Sequence, residues 1–180
     1  MAITQAEYDA AQAQAREYFQ KAGIKLRADE AADIEVADFG LANLKNEGLE
    51  VVTYINTERC CAKELVLFPY QTCPEHRHPF INKKNPGKEE TFRCRWGTVY
   101  LYVSGEPTPS IKARVPGAHY TVKHEVVLNP GEQYTLVPNT LHWFQAGPEG
   151  AIVSEFSTRS TDESDIFTDP DIARAPEVIA

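Results

Sequence analysis

The chain of 180 residues lacks the features that mark several broad classes of protein. It has no run of about 18 apolar residues, which argues against a transmembrane helix. It has no block of basic residues and a net charge of −8, so nucleic acids and anionic membranes are poor partners. Its first residues lack the basic start and apolar core of a secretory signal, and we therefore expect a cytoplasmic protein.

The sequence is also poor in cysteine. Its four cysteines, Cys60, Cys61, Cys73 and Cys94, have no CxxC spacing, and two of them are adjacent. This pattern does not suit a zinc site or a disulfide framework, and we expect small buried thiols. Hydrophobic residues make up 42% of the chain and charged residues 24%, which is ordinary for a globular protein. The length favours one domain spanning residues 1–180.

The composition divides this domain into a helical extension, a barrel and a polar tail that wraps the barrel, at residues 1–48, 49–158 and 159–180. Thr4 and Glu7 form a capping box, and Gly23 suits the end of the helix that they begin. Residues 29–43 are ambiguous: they form either a second short helix or a helix that runs into an irregular connection.

The middle part is rich in Val, Tyr, Phe and Thr between turn signals, which is typical of short strands. The segments concerned are residues 51–56, 64–68, 91–103, 119–128, 132–137 and 151–157. Only residues 129–131 separate two of them, which predicts an antiparallel hairpin. Because no helices alternate with these strands, we predict an all-β sandwich or barrel.

Four side chains in separate parts of the chain suit a divalent transition metal. In an extended segment His76 and His78 point to the same face, since side chains alternate with period two. Glu90 opens the next strand, and His142 follows a turn in which Asn139 tolerates a left-handed conformation. Three neutral imidazoles and one carboxylate leave open positions on an octahedral ion, as a catalytic metal requires.

The membership of this set is not settled by alternation alone. Glu89 competes with Glu90, because the loop before them is irregular, but the seven-residue step from Glu90 to Gly97 favours Glu90. His119 and His124 each lie alone in a predicted strand. Single histidines of this kind are more often structural, and we leave both outside the metal set.

The order of these residues resembles the two signature motifs of the cupin superfamily, whose members are small jelly-roll barrels. The first motif reads HxH…E…G and ends at Gly97; the second reads G…NxxH and runs from Gly131 to His142. Val137 stands where proline is common in the second motif, and Asn139 where glycine is common. The resemblance implies a cupin-type β-barrel around the metal, with the helical extension before it.

One family of cupins is more closely similar. The segments NTERCCAKELVLFPYQTCPEHRHP, KEETFRCRWGTVYLYVSGE, HYTVKHEVVL, PNTLHWFQAG and STDESDIFTDP resemble the D-lyxose isomerase family over residues 49–170. This resemblance implies a homodimeric, Mn²⁺-dependent aldose–ketose isomerase acting on D-lyxose and often on D-mannose. It also implies metal ligands at His76, His78, Glu90 and His142, and an acid–base pair at Lys63 and Glu155.

The residues alone leave the roles of that pair open. Glu155 lies in a strand with two partly apolar faces, where a carboxylate is costly unless it is paired or lies near a cation. It is therefore either a salt-bridged glutamate or a general base. Lys63 begins a strand, a position that ordinarily holds a solvated edge lysine. Only the resemblance points to a catalytic role for this lysine.

Candidates for sugar binding follow from their positions. Arg159, Asp162 and Asp165 form a polar stretch after Glu155 that is able to border a pocket. Trp143 and Phe144 directly follow a candidate metal ligand, and one of them, such as Phe144, either floors the sugar site or packs in the core, which is the more usual role.

The implied reaction moves a proton between neighbouring carbons. A carboxylate, by preference Glu155, removes the C2 proton of the open-chain aldose, and the proton returns at C1 through an enediolate. This converts D-lyxose to D-xylulose and D-mannose to D-fructose, with a hydride shift as the competing route. Two other functions remain compatible with the motifs: a metal-dependent cupin dioxygenase and a non-enzymatic sugar-binding cupin.

Overall fold

The computed structural model describes residues 3–174 and 178–179 of the chain. Helix α1 (Gln5–Lys21) begins as the sequence predicts, at a capping box. Thr4 Oγ1 accepts a hydrogen bond from the backbone N–H of Glu7 at 3.2 Å, and the Glu7 carboxylate accepts one from Thr4 N. Gly23 follows the helix with φ 69°, a conformation that glycine adopts without strain.

The ambiguous segment after α1 contains two short elements. Helix α2 (Ala28–Ala32) is followed by strand β1 (Glu35–Ala37), which pairs with the next strand of the sheet. Helix α1 packs on the outer face of the sheet, where the buried side chain of Phe19 joins the cluster that contains Val66 and Ile152. The helical extension therefore covers one outer face of the barrel.

Within residues 3–174, nine strands form one curled, antiparallel sheet. After β1 they are β2 (Leu49–Asn56), β3 (Cys61–Leu67), β4 (Thr72–Arg77), β5 (Glu90–Val103), β6 (His124–Leu128), β7 (Gln133–Leu136), β8 (His142–Ser157) and β9 (Ile166–Phe167). Their inward side chains form the main core, which includes Leu65, Phe92, Leu101 and Val153. The prediction of an all-β fold with an N-terminal helical extension is confirmed.

Strands β5 and β8 curl strongly, and this brings the opposite ends of the strand pair close together. They pair from Glu90 opposite Ser157 to Val103 opposite His142. A straight strand of this length would separate its ends by about 40 Å, yet Glu90 Oε1 lies 3.1 Å from His142 Nε2. The curl therefore brings two predicted metal ligands from opposite ends of the strand pair into contact.

Gly97 lies at the irregular part of β5 where the pairing with β8 shifts register. Its φ is 73°, and a Cβ atom there would lie 2.0 Å from the carbonyl oxygen of Gly150. A side chain is thus excluded both by the backbone conformation and by the close approach of the neighbouring strand.

The predicted hairpin at residues 129–131 is wrong. Strands β6 and β7 each pair with β5, at Val99–Val103 and at Glu90–Arg93, and no pairing joins β6 to β7 in the described sheet. They run in the same direction along the two halves of bent β5. The residues between them form a turn, in which Glu132 N donates to the carbonyl oxygen of Asn129 and Gly131 N donates to that of Cys94, both at 2.9 Å. A short link with turn residues therefore joins either the two strands of a hairpin or, as here, two strands that pair with the same bent neighbour.

Three of the four cysteines are buried thiols, as expected, whereas Cys60 is exposed. None of the helices within residues 3–174 has the length and apolarity needed to cross a membrane.

Candidate functional site

Three buried histidines converge inside one end of the barrel. His76 lies on β4, His78 directly follows that strand, and His142 begins β8, where it is the register partner of His76. One ring nitrogen from each histidine lies within 4.8 Å of the others. The group could hold a metal ion, since imidazole nitrogen is a common ligand of divalent transition metals.

The outer ring nitrogen of each histidine has an acceptor that fixes the imidazole. The Nδ1 atom of His76 lies 2.7 Å from the carbonyl oxygen of Pro74, and that of His142 lies 2.9 Å from the carbonyl oxygen of Thr140. The Nδ1 atom of His78 lies 2.5 Å from Oδ1 of Asp165. Because these acceptors require an N–H at Nδ1, the lone pair of each neutral ring is left at Nε2, the form that binds a metal.

Glu90 completes the set from the first position of β5. Its Oε1 atom lies 3.0 Å from Nε2 of His78 and 3.1 Å from Nε2 of His142, while Glu89 is exposed. The Nε2 atom of His142 has no well-directed hydrogen bond to any residue of the described chain. A buried nitrogen without a partner, beside a carboxylate, fits a site that takes a cation.

Burial, neighbouring charges and hydrogen bonds shift the pKa values of these groups in different directions. Burial would lower the pKa of His78, but Glu90 and the hydrogen bond to Asp165 outweigh it and raise that pKa to about 10. Burial would raise the pKa of Glu90, but Lys88 and His78 hold it well below its ordinary value. For His76, burial together with the other two histidines outweighs the opposing effect of Glu90 and lowers the pKa well below its ordinary value.

Lys88 is a buried cation of the site that the sequence reasoning missed. Its Nζ atom lies 2.8 Å from Oε2 of Glu90 and 2.5 Å from Oε1 of Glu155, and the residue is only 6% exposed. Burial opposes its charge, but the two carboxylates raise its pKa well above the ordinary value. Strand alternation could have identified Lys88, because in an extended chain it lies on the same face as Glu90, two residues later.

Lys63 and Glu155 are register partners on β3 and β8, and both are buried. The Nζ atom of Lys63 lies 2.8 Å from Oδ2 of Asp162 and 3.0 Å from Oγ of Ser160. Burial opposes its charge, but Glu155 and Asp162 raise the pKa of Lys63. Lys63 is therefore a paired interior lysine and not a solvated one at the edge.

A cavity of about 40 Å³ connects His76 and His78 to this pair. Its polar lining includes Lys63, Lys88, Glu155, Asp162, Asp165 and Arg174. Phe144 also lines it, is 1% exposed, and packs with its ring centroid 4.9 Å from that of Phe92. Phe144 thus belongs to the core and to the cavity wall at once.

The C-terminal segment adds a cavity residue that was not predicted and leaves a predicted one outside. Arg174, which no sequence pattern singled out, reaches the lining and pairs with Glu35 at 2.5 Å. Arg159 is not brought to the cavity: its side chain is 51% exposed and pairs with Glu58 at 2.6 Å.

The two remaining histidines lie away from the three-histidine group. His119 Nδ1 pairs with Oδ2 of Asp169 at 2.8 Å, and its side chain is 47% exposed. His124 Nδ1 lies 2.9 Å from the carbonyl oxygen of Glu106.

Fold and site together define a cupin-type barrel with a buried histidine group and a polar cavity beside it. L-ribose isomerase from Cellulomonas parahominis, solved with L-ribose, shares this fold with a TM-score of 0.77 at 16% identity, over 99% of both chains. L-ribose isomerase from Acinetobacter sp. DL28 aligns with a TM-score of 0.78 at 15% identity, over 99% of this chain and 98% of that one.

Sequence comparison places the chain more narrowly. It is 62% identical to a D-lyxose ketol-isomerase of Cohnella laeviribosi over 96% of both chains. It is 65% identical to a D-lyxose/D-mannose isomerase of Thermosediminibacter oceani, over 90% of this chain and 91% of that one. The family model for D-lyxose isomerase matches residues 102–180. The chain belongs to the D-lyxose isomerase family.

Proposed function

We propose that the protein is a Mn²⁺-dependent aldose–ketose isomerase that interconverts D-lyxose with D-xylulose and D-mannose with D-fructose. The observation that carries this proposal is one cavity that holds both a candidate metal site and a separate buried carboxylate, Glu155. The names of the two relatives, D-lyxose ketol-isomerase and D-lyxose/D-mannose isomerase, support the choice of sugars.

The proposed metal ligands are His76, His78, Glu90 and His142. The choice of Mn²⁺ comes from the family resemblance, and a set of nitrogen and carboxylate donors without thiolate is compatible with it. When bound there, the metal supplies Lewis-acid stabilisation of negative charge on sugar oxygens. The protein's contribution is to hold the three rings by their Nδ1 atoms and to keep the ligands dry inside the barrel.

Glu155 is the proposed general base. It takes the proton from C2 of the open-chain aldose and returns it to C1 of the enediolate. Lys88, 2.5 Å from its Oε1 atom, stabilises the negative charge of the resting carboxylate. Lys63, held by Asp162 and Ser160, is the proposed donor to the sugar oxygens, which gain and lose a proton as the carbonyl moves from C1 to C2.

The charges of the cavity support a neutral sugar as the substrate rather than a sugar phosphate. Among the described residues, each lysine or arginine of the lining has a carboxylate partner. Lys63 pairs with Asp162, Lys88 with Glu90 and Glu155, and Arg174 with Glu35. A phosphate group is usually held by cations that are free to pair with it.

Ketose formation by the chelated and reconstituted protein tests this proposal. The protein is stripped with a chelator, supplied with Mn²⁺, and given D-lyxose, D-mannose and other aldoses while ketose is followed by NMR. D-xylulose from D-lyxose, only with added metal, is the expected result. No ketose from any pentose or hexose would reject it. Oxygen consumption without ketose would instead point to a dioxygenase, and sugar binding without turnover to a binding protein.

We also propose that the protein is a cytoplasmic homodimer. The dimer is implied by the family resemblance, and the four free thiols suit a reducing compartment. Light scattering coupled to gel filtration tests the dimer, with a mass near that of one 20.1 kDa chain as the contradictory result.

A further inference from the structure

Three rings form the candidate metal centre, but they are not held in the same way. His76 and His142 each place Nδ1 against a backbone carbonyl two residues earlier in the chain, those of Pro74 and Thr140. His78 instead places Nδ1 against a side chain 87 residues away, that of Asp165. The orientation of two ligands is therefore local, and that of the third depends on the C-terminal segment.

The path of that segment fixes Asp165 opposite His78. Asp165 follows a short 3₁₀ turn (Asp162–Ser164) in an extended conformation and leads directly into β9. Strand β9 pairs with β4, with Phe167 opposite His76, so Asp165 arrives beside the end of the strand that carries the histidines. Thr168 then bonds Glu75 twice, through its backbone N–H and its hydroxyl.

The contact between Asp165 and His78 is short and buried. Oδ1 of Asp165 lies 2.5 Å from Nδ1 of His78, and the two side chains are 7% and 9% exposed. A carboxylate in this position fixes the tautomer and the plane of the ring. It also makes the opposite nitrogen, Nε2, a stronger donor to a metal.

We propose that Asp165 is a positioning residue for the metal ligand His78, through which the C-terminal segment sets metal affinity, and that it does not itself bind the sugar. This inference rests on the metal-dependent function proposed above. It changes the expectation from sequence, which placed Asp165 among the sugar-binding residues.

Metal affinity of an Asp165→Ala variant, measured without sugar, is the test. Titration with Mn²⁺ in competition with a chelator is expected to give a Kd raised about 10- to 100-fold over wild type. The control is Asp169→Ala. Asp169 lies in the same segment and also pairs with a histidine, His119, but outside the cavity. Its Kd for Mn²⁺ is expected to match that of wild type.

Kinetics separate positioning from sugar binding. At saturating Mn²⁺, Asp165→Ala is expected to keep a KM for D-lyxose near that of wild type. An unchanged Kd for Mn²⁺, or one raised no more than in Asp169→Ala, would overturn the inference, as would a raised KM with normal metal affinity. If the alanine variant does not fold, Asp165→Asn replaces it, because the amide keeps the shape and weakens only the acceptor.

The failure of the proposed function would look different. If wild type binds Mn²⁺ but makes no ketose, the ratio of the two variants' Kd values still tests the role of Asp165. If wild type binds no divalent metal, the inference falls together with the metal site.

Discussion

The Nζ atom of Lys88 lies 2.5 Å from Oε1 of Glu155 inside the barrel, where the two residues are 6% and 4% exposed. The same ammonium group lies 2.8 Å from Oε2 of Glu90. One lysine thus bridges the proposed metal ligand and the proposed base. Since a buried carboxylate is costly without a cation, this lysine stabilises both side chains inside the barrel.

Replacing Glu155 by glutamine should leave the fold and the metal affinity near wild type and reduce kcat by about 10²- to 10⁴-fold. The amide has the size of the carboxylate but cannot take a proton from carbon. The measurement is steady-state kinetics with D-lyxose at saturating Mn²⁺, with circular dichroism to check the fold. Glu149→Gln, at an exposed position of the same strand, is the matched control. Activity near wild type in Glu155→Gln would reject Glu155 as the base.

Replacing Lys88 by methionine should lower the free energy of unfolding of the metal-free protein by about 3 kcal/mol, because Glu90 and Glu155 lose their shared cation. Added Mn²⁺ should recover part of that loss. Urea unfolding with and without the metal measures both effects, and Lys84→Met provides an exposed lysine of the same loop for comparison. Equal stability of the two variants would contradict a bridging role.

Two glycine-to-alanine variants separate backbone strain from crowding. Gly131→Ala has open space around its Cβ and should cost about 1–2 kcal/mol, from its φ of 94° alone. Gly97→Ala has similar strain and meets the carbonyl oxygen of Gly150, which adds about 1–3 kcal/mol for overpacking. The thermal unfolding temperature of Gly97→Ala should therefore lie well below that of Gly131→Ala. The reverse order would show that the bend of β5 does not require a glycine.

Glu50 should make stability depend on pH. It is fully buried, with Oε1 3.3 Å from Nε2 of Gln71 and Oε2 without a hydrogen bond among the described residues. Burial raises its pKa well above its ordinary value near 4.5. The folded state then binds more protons than the unfolded state above pH 4.5, so the free energy of unfolding falls as pH rises through that window.

Glu50→Gln should remove this loss and stabilise the protein near neutral pH, by about 1.4 kcal/mol for each unit by which the pKa is raised. Chemical unfolding at a series of pH values measures it. Glu17→Gln makes the same change at an exposed position of α1 and should have little effect. An unchanged pH profile in Glu50→Gln would refute the assignment.

Local rules predicted those parts of the molecule that depend on local geometry. The capping box located α1, and strand alternation placed His76 and His78 on one face. The same alternation would have found Lys88, had it been carried back from Glu90 into the loop. The link at residues 129–131 did not predict that β6 and β7 pair with the two halves of a bent β5, because the bend is a property of β5 and not of the link.

The long-range parts of the site were beyond local rules. Asp165 was expected to border a pocket, but its contact with His78 was not predicted. That contact and the position of Arg174 depend on the pairing of β9 with β4, and the tail shows no periodicity that would indicate this. Arg159 was expected near the sugar because of its position in the chain after Glu155, but its side chain lies at the surface. Its role in sugar binding remains a prediction that this position does not support.

Isomerisation in D₂O by the Mn²⁺-loaded protein tests the central claim, that Glu155 carries a proton between C2 and C1. A proton held on a carboxylate exchanges with solvent during some turnovers. Deuterium should therefore accumulate at C1 of D-xylulose, as followed by NMR over many turnovers of D-lyxose. D-xylulose formed over the same number of turnovers with no deuterium at C1 would contradict the claim and identify a hydride shift.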